Sequence, residues 1–192
     1  MKRTLYIIVD VSGSMNEMGK KHLQRNLCRY AVQLKIIELG NYADFDIHFY
    51  QWGQSVSEFV PQSDGDIPLL VVEGSSSLIS LSDFLSKNLN DSEDLRVLIL
   101  SDGNFSSSDI LSFKQRMSSL PNLIIRTVAV GADADLLKLK KISSNYCVHL
   151  PENIVAAIEC TILGSDDRVT TPETAAQIRI SEPAKSEEDW DA

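Results

Sequence analysis

Three short segments of the chain carry oxygen-bearing side chains at spacings that could do chemistry. DVSGS (10–14) has an aspartate and two serines at alternate positions, GSSSL (74–78) has three serines, and LSDG (100–103) has a second aspartate. Together they offer two carboxylates and several hydroxyls, with no histidine or thiolate. Oxygen ligands alone select hard cations such as Mg²⁺, Mn²⁺ or Ca²⁺. Because two aspartates roughly neutralise a divalent ion, the three segments predict a divalent cation site if the fold brings them together.

The elements around these segments predict that they do meet. Apolar runs of strand length are predicted as strands from Leu5 to Val9 and at 45–52, 55–60, 96–100, 123–131 and 146–149, with a short extended run at 69–72. Helices are predicted near 78–89, 107–119, 136–139 and 151–163. A further helix that ends at Gly40 is predicted from an apolar stripe formed by Leu23, Leu27, Tyr30, Ala31, Leu34 and Ile37. Strands that alternate with helices indicate βαβ units.

The predicted fold class is therefore α/β. We expect a Rossmann-like, doubly wound and mostly parallel sheet with helices on both faces, in which the hairpin at 45–60 supplies one antiparallel edge strand. In an open sheet of this kind, ligands bind beyond the carboxyl ends of the strands. DVSGS and LSDG each follow an apolar strand, and GSSSL precedes a helix, so all three are expected at that edge.

In this order and setting, the three segments resemble the motifs of von Willebrand factor A (VWA) domains that carry a metal-ion-dependent adhesion site (MIDAS). DVSGS matches the Asp-x-Ser-x-Ser signature of that family. GSSSL is similar to its Gly-Gly-Thr-x-Leu segment, and LSDG is similar to its Leu-Thr-Asp-Gly segment. The resemblance covers about residues 3–163 and implies the VWA fold.

The resemblance also implies a role for each matching residue. Ser12 and Ser14 would ligate the metal directly, Asp10 would hold it largely through water, and Asp102 would be a direct or water-bridged ligand. Ser76 stands where the family has threonine. The substitution keeps the hydroxyl but loses a methyl group that restrains the rotamer, so the affinity for metal would be lower.

Two alternatives stay open in the second segment. Ser75 and Ser77 flank Ser76, so the alignment is open by one residue. Ser76 is also in a position to cap the helix that follows, as serines commonly do.

The composition indicates which classes of partner are disfavoured and which cellular compartment is favoured. A net charge of −9 argues against binding to nucleic acid or to an anionic membrane, both of which need a basic surface. No apolar run approaches the ~20 residues of a membrane span, and the first apolar run is too short for a signal peptide. Cys28, Cys147 and Cys160 lack the CxxC spacing, which favours a reducing cytoplasm.

The chain changes character after Gly164. Residues 165–192 contain eight acidic and three basic residues, a net charge of −5, and few apolar ones. Such a segment cannot bury enough surface to offset the entropy of ordering. We predict a VWA domain at 1–163 and an acidic, disordered tail at 164–192.

The strongest enzymatic alternative is a phosphatase of the haloacid dehalogenase kind, which also begins with a strand that ends in a nucleophilic aspartate. That chemistry needs a second aspartate two residues on, as an acid and base, where this chain has Ser12. A P-loop, a GxSxG motif and a GxGxxG motif are also missing. The sequence therefore predicts a protein without catalytic activity.

The resemblance implies that the metal helps to bind an acidic side chain of a protein partner. Short members of the family that begin almost at the motif resemble bacterial VWA proteins that accompany kinases, phosphatases or AAA+ ATPases in stress and signalling systems. A scaffold subunit of a larger intracellular complex is the alternative.

Overall fold

The computed structural model describes residues 3–37, 45–90, 94–120 and 122–164. The predicted helix end at Gly40 and the predicted acidic tail beyond Gly164 lie outside the described residues. None of the helices in the described part combines the length and the apolar character needed to cross a bilayer.

A six-stranded sheet forms the centre of the molecule, in the order β3-β2-β1-β4-β5-β6. All neighbouring strands are parallel except β2 and β3, which form an antiparallel hairpin at one edge. The predicted fold class and the predicted antiparallel edge are confirmed. The strands are β1 Arg3–Asp10, β2 Phe45–Trp52, β3 Val56–Phe59, β4 Leu95–Ser101, β5 Leu123–Ala129 and β6 Val148–His149.

Five α-helices cover the two faces of the sheet. They are α1 Lys20–Ile37, α2 Leu78–Asn90, α3 Ser107–Ser118, α4 Leu136–Ile142 and α5 Ile154–Leu163, with 3-10 turns at Gly13–Asn16 and Pro151–Asn153. Helices α1 and α5 pack on one face, and α2, α3 and α4 pack on the other.

The central strand β1 shows why the sheet needs both layers. Leu5, Ile7 and Val9 point into the core under α1 and α5, whereas Ile8 points into the core under α2 and α3. Each is at most 1% exposed. Burial of a side chain of this size contributes about 1.5–3 kcal/mol, so a strand that is apolar at successive positions is stable only between two helical layers.

Two predicted details differ from the structure. Tyr30 is 46% exposed, because the inner stripe of α1 runs through Cys28 and Ala31 instead. Strand β6 is shorter than predicted, since Tyr146 has a left-handed backbone (φ 57°) that cannot continue a strand. The run at 69–72 lies outside the sheet, and Leu70 and Val72 pack against the core on the α1 side.

The order of the strands places a crevice between β1 and β4. The chain leaves β1 toward β2 on one side and leaves β4 toward β5 on the other, so the two loops diverge at the carboxyl edge. Such a topological switch point is where open α/β sheets bind their ligands. Asp10 ends β1, and Asp102 follows β4 directly.

Candidate metal centre

Asp10 is the centre of the hydrogen-bond network at the crevice. Its side chain is fully buried. One carboxylate oxygen accepts the backbone N–H of Ser12 at 2.9 Å and a short hydrogen bond from the Ser76 hydroxyl. The other oxygen accepts the Ser101 hydroxyl at 2.5 Å. Three loops are therefore tied to one carboxylate.

Ser12 and Ser14 lie side by side at the start of the first loop. Ser12 is buried and Ser14 is partly exposed, and their Oγ atoms are 3.1 Å apart. The backbone N–H of Gly13, between them, donates to the carbonyl of Gly74 at 2.9 Å, which fixes the first loop against the second. Two adjacent hydroxyls are thus presented at the mouth of the crevice.

The second loop separates its three serines by role. Ser76 is buried and turns toward Asp10 and the Trp52 carbonyl. The Ser75 hydroxyl contacts the Gln54 amide on the exposed side. Ser77 precedes α2 and accepts the N–H of Ser80 at 3.2 Å, which is the geometry of a helix N-cap. The structure thus gives the cap to Ser77 and places Ser76 at the crevice.

Asp102 lies on the third loop and is 3% exposed. One of its oxygens accepts the backbone N–H of Asn104 at 3.0 Å. The other accepts the ammonium of Lys20 at 2.8 Å. Ser101, the residue before Asp102, binds Asp10 and accepts the N–H of Gly103, so it links the third loop to the first.

Lys20 is a residue at the centre that the sequence analysis missed. It is the first residue of α1 and only 1% exposed, and it forms ion pairs with Asp102 at 2.8 Å and Asp133 at 2.7 Å. Burial would lower the pKa of Lys20, but the two carboxylates outweigh it and the pKa lies above its ordinary value. The hydrogen bond from Lys20 lowers the pKa of Asp133.

Gln24 and Ser101 were also missed. The buried Gln24 amide donates to the Asp10 carbonyl at 3.0 Å and to the Leu100 carbonyl at 3.1 Å, which bridges the ends of β1 and β4. A signal was available: 20, 24, 28 and 31 share one face of a helix, so Lys20 and Gln24 continue the buried stripe to the sheet edge. No comparable signal marks Ser101, because a serine at a strand end is ordinary.

Burial raises the pKa of the Asp10 carboxyl above its ordinary value, and the hydrogen bonds from Ser101, Ser76 and Ser12 oppose that shift without cancelling it. Within the described residues, the hydrogen bonds that Asp10 accepts come from neutral groups. A cation nearby would stabilise the charged form.

The donor set fits a hard divalent cation. Ligands at right angles on a Mg²⁺ ion, each 2.0–2.1 Å away, are about 2.9 Å apart, close to the 3.1 Å between the Ser12 and Ser14 hydroxyls. Within the described residues no three His, Cys, Asp or Glu side chains cluster as a metal site. The available ligands are serine hydroxyls and two aspartate carboxylates. Because all of these are oxygen ligands, they favour Mg²⁺ or Mn²⁺ over a soft metal.

Comparisons with known proteins identify the fold. No protein-family model and no curated protein matches this chain. Among solved structures, the von Willebrand factor type A protein from Catenulispora acidiphila matches with a TM-score of 0.57 and 13% identity, over 84% of this chain and 42% of that one. The manganese-loaded TRAP protein of Plasmodium vivax matches with a TM-score of 0.60 and 16% identity, over 84% and 73%.

A third match is proximal thread matrix protein 1 from the mussel byssus, whose structure has a zinc-occupied MIDAS motif. Its TM-score is 0.57 and its identity 12%, over 84% of this chain and 47% of that one. This chain spans less than half of the mussel and Catenulispora proteins. At such identities the likeness concerns the fold alone, and the fold is that of a von Willebrand factor A domain.

Proposed function

We propose that this chain is a non-catalytic protein-interaction module that holds a divalent cation, Mg²⁺ or else Mn²⁺ or Ca²⁺, at the crevice. Ser12, Ser14 and Ser76 supply hydroxyl oxygens to the cation. Asp10 and Asp102 supply negative charge, directly or through water. A carboxylate from a protein partner completes the coordination of the cation.

The observation that carries the proposal is the pair of serine hydroxyls 3.1 Å apart, next to a fully buried carboxylate. Neutral hydroxyls fill coordination positions without adding charge, so the bound cation keeps an electrophilic face toward solvent. A carboxylate is the ligand that such a face prefers. The manganese and zinc bound by two proteins of the same fold support a metal at this edge.

A groove that borders the first two loops, and that is lined by residues next to the proposed ligands in the chain, offers space for the partner. It has a volume of about 590 Å³ and is lined by residues that include Val11, Gln54, Val71 and Gly74 from the first two loops and the β2–β3 turn. Val71 is 70% exposed. We propose that a partner segment lies here, with its carboxylate at the metal and apolar side chains against Val71.

The surroundings of Asp10 argue against a phosphatase. A nucleophilic carboxylate must reach its substrate, whereas Asp10 is fully buried and both of its oxygens accept hydrogen bonds from within the protein. Position 12 carries a serine hydroxyl, which cannot act as the required acid and base at neutral pH. These features support a binding role.

The cellular setting belongs to the same proposal. A cytoplasmic module that works with a kinase, a phosphatase or an AAA+ ATPase in a bacterial stress or signalling system accounts for the acidic composition and the resemblance. A scaffold subunit of a larger complex is the alternative, and it would use the same groove.

Affinity capture with the full chain tests the proposal. Wild type is immobilised in Mg²⁺, captured proteins are identified, and each is purified and bound again with Mg²⁺ or EDTA. We expect a directly binding protein that is lost in EDTA and with Ser14→Ala, because both changes remove the coordination of its carboxylate.

Ser108→Ala is the matched control. Ser106 and Ser108 form a second pair of hydroxyls two residues apart, at 2.7 Å, but on the exposed start of α3. The control should bind the partner as wild type does. Binding that persists in EDTA and with Ser14→Ala would contradict the proposal, and so would metal-dependent hydrolysis of a phosphoester that is lost with Asp10→Asn.

A further inference from the structure

Lys20 places a positive charge beside the residues that would hold the cation. We propose that Lys20 sets the metal affinity of this centre: it engages Asp102 and lowers the affinity, so that a metal ion is held firmly only when the partner carboxylate joins it. This inference rests on the proposed function, and it makes Lys20 the reason why tight metal binding requires the partner.

The contacts of Asp102 are the first argument. Its two oxygens accept one hydrogen bond each, from Lys20 at 2.8 Å and from the Asn104 N–H at 3.0 Å. A carboxylate oxygen has two lone pairs, so each retains one. A cation that used Asp102 directly would share the carboxylate, though not the same oxygen, with an ammonium group whose charge repels it.

The charge balance is the second argument. Asp10 and Asp102 alone carry −2, which neutralises a divalent ion, but Lys20 reduces the sum to −1. Asp133, the second ion-pair partner of Lys20, adds a negative charge. Its side chain is 42% exposed, however, so solvent weakens the effect of that charge. Lys20 and Asp102 are 1% and 3% exposed, where charges are screened far less.

The position of Lys20 is the third argument. A lysine in the first turn of a helix opposes the helix dipole, and the burial of its ammonium costs free energy. The surrounding loop nevertheless makes room for it. A Cβ added to Gly131 would lie 2.7 Å from Cε of Lys20, so the glycine accommodates the lysine stem. Among the described residues, the side-chain partners of the Lys20 ammonium are the two carboxylates of Asp102 and Asp133.

Calorimetric titration of the full chain with MgCl₂ and MnCl₂, at fixed ionic strength and without partner, tests the inference. We expect Lys20→Met to bind either metal about tenfold more tightly than wild type, because a buried like charge is removed. Lys21→Met is the matched control, since it removes the same charge one residue away, where the Lys21 ammonium donates a hydrogen bond to the exposed Asn16 side chain. Its affinity should stay within about twofold of wild type.

Asp133→Asn gives a prediction of opposite sign that does not depend on the stability of the Lys20 variant. Asparagine has the same shape and can still accept a hydrogen bond from Lys20, but the site loses one negative charge. Metal binding should weaken, by about threefold or more.

Equal or weaker metal binding by Lys20→Met would overturn the inference, and so would tighter binding by Asp133→Asn. If wild type and Lys20→Met bind metal with the same affinity, the inference is wrong but the proposed function stands. If neither wild type nor Lys20→Met binds metal, both the inference and the proposed function are wrong.

Discussion

The buried carboxylate of Asp10 is unfavourable for the folded state, but its charge would attract a cation to the site. This carboxylate is fully buried, and desolvation raises its pKa. The hydrogen bonds from Ser76, Ser101 and Ser12 stabilise the ionised form only in part. In the absence of metal, the negative charge that would attract a cation is therefore a cost to the folded state.

Asp10→Asn should stabilise the protein in EDTA at neutral pH. The amide has nearly the same shape but does not carry the buried charge, so we expect the melting temperature to rise by a few degrees, at about 2–4 °C per kcal/mol for a domain of this size. The same variant should gain no stability from Mg²⁺, because the site has lost one of its two aspartates. Thermal melts in EDTA and in Mg²⁺ measure both effects.

The pH dependence of this difference has a defined sign. The folded pKa of Asp10 lies above the ordinary value of 3.8, so between the two values the folded chain keeps a proton that the unfolded chain releases. The contribution of Asp10 to stability then falls as the pH rises through this window and is constant above it. The advantage of Asp10→Asn should grow over the same window. A variant that melts below wild type in EDTA at pH 7 would show that the hydrogen bonds outweigh desolvation.

At the scale of elements, the three loops depend on backbone shapes that few residues allow. Gly103, next to Asp102, has φ 78°, and an added Cβ would lie 2.8 Å from the Asp135 carbonyl. Both the conformation and the contact exclude a side chain. Glycine at this position therefore permits the turn that directly follows Asp102, whose carboxylate contacts Lys20.

Gly103→Ala should destabilise the protein by about 2–4 kcal/mol, because it combines a left-handed backbone with a clash against a main-chain atom. Gly53→Ala is the control. Gly53 lies in the β2–β3 turn, and an added Cβ would meet only the Val11 side chain at an ordinary 3.5 Å. Urea denaturation should show a change within about 0.5 kcal/mol for the control. Equal losses for the two variants would contradict this account of the third loop.

The helix α1 shows which parts of the site could be predicted from the sequence. Its apolar stripe identified the helix and its buried side, since Leu27 and Ala31 face the core. The same face continues through Gln24 and Lys20, but hydrophobic periodicity does not register polar residues, so their burial went unnoticed. A polar side chain is generally buried where hydrogen-bond partners are present. The partners of Lys20, Asp102 and Asp133, lie more than eighty residues away in the chain.

The serines of the second loop show the same limit. The sequence favoured Ser76 as the ligand but left the alignment open by one residue, toward Ser75 or Ser77. Their roles differ because the Ser77 hydroxyl reaches the N–H of Ser80, whereas the Ser76 hydroxyl reaches Asp10 across the crevice. A local contact such as the cap can be anticipated from spacing. A contact between loops depends on the register of the sheet.

At the scale of the whole molecule, the fold was predictable because it follows from general rules. Apolar strands that alternate with helices form a parallel sheet with right-handed crossovers, and the strand order β3-β2-β1-β4-β5-β6 then places the ends of β1 and β4 side by side. The partner is not determined by these rules, since one fold supports many binding functions. The central claim is therefore about the crevice: its hydroxyls and aspartates hold a divalent cation.

Calorimetric titration of Mg²⁺ and Mn²⁺ into wild type, Lys20→Met, Ser14→Ala and Ser108→Ala tests that claim most directly. The account predicts saturable binding of one ion per chain in wild type and in Ser108→Ala, and binding weaker by about tenfold or more in Ser14→Ala, which loses one metal ligand. The absence of saturable binding in both wild type and Lys20→Met up to about 10 mM of either metal, well above the range of weak protein sites, would contradict the account. Equal affinity in wild type and Ser14→Ala would contradict it as well.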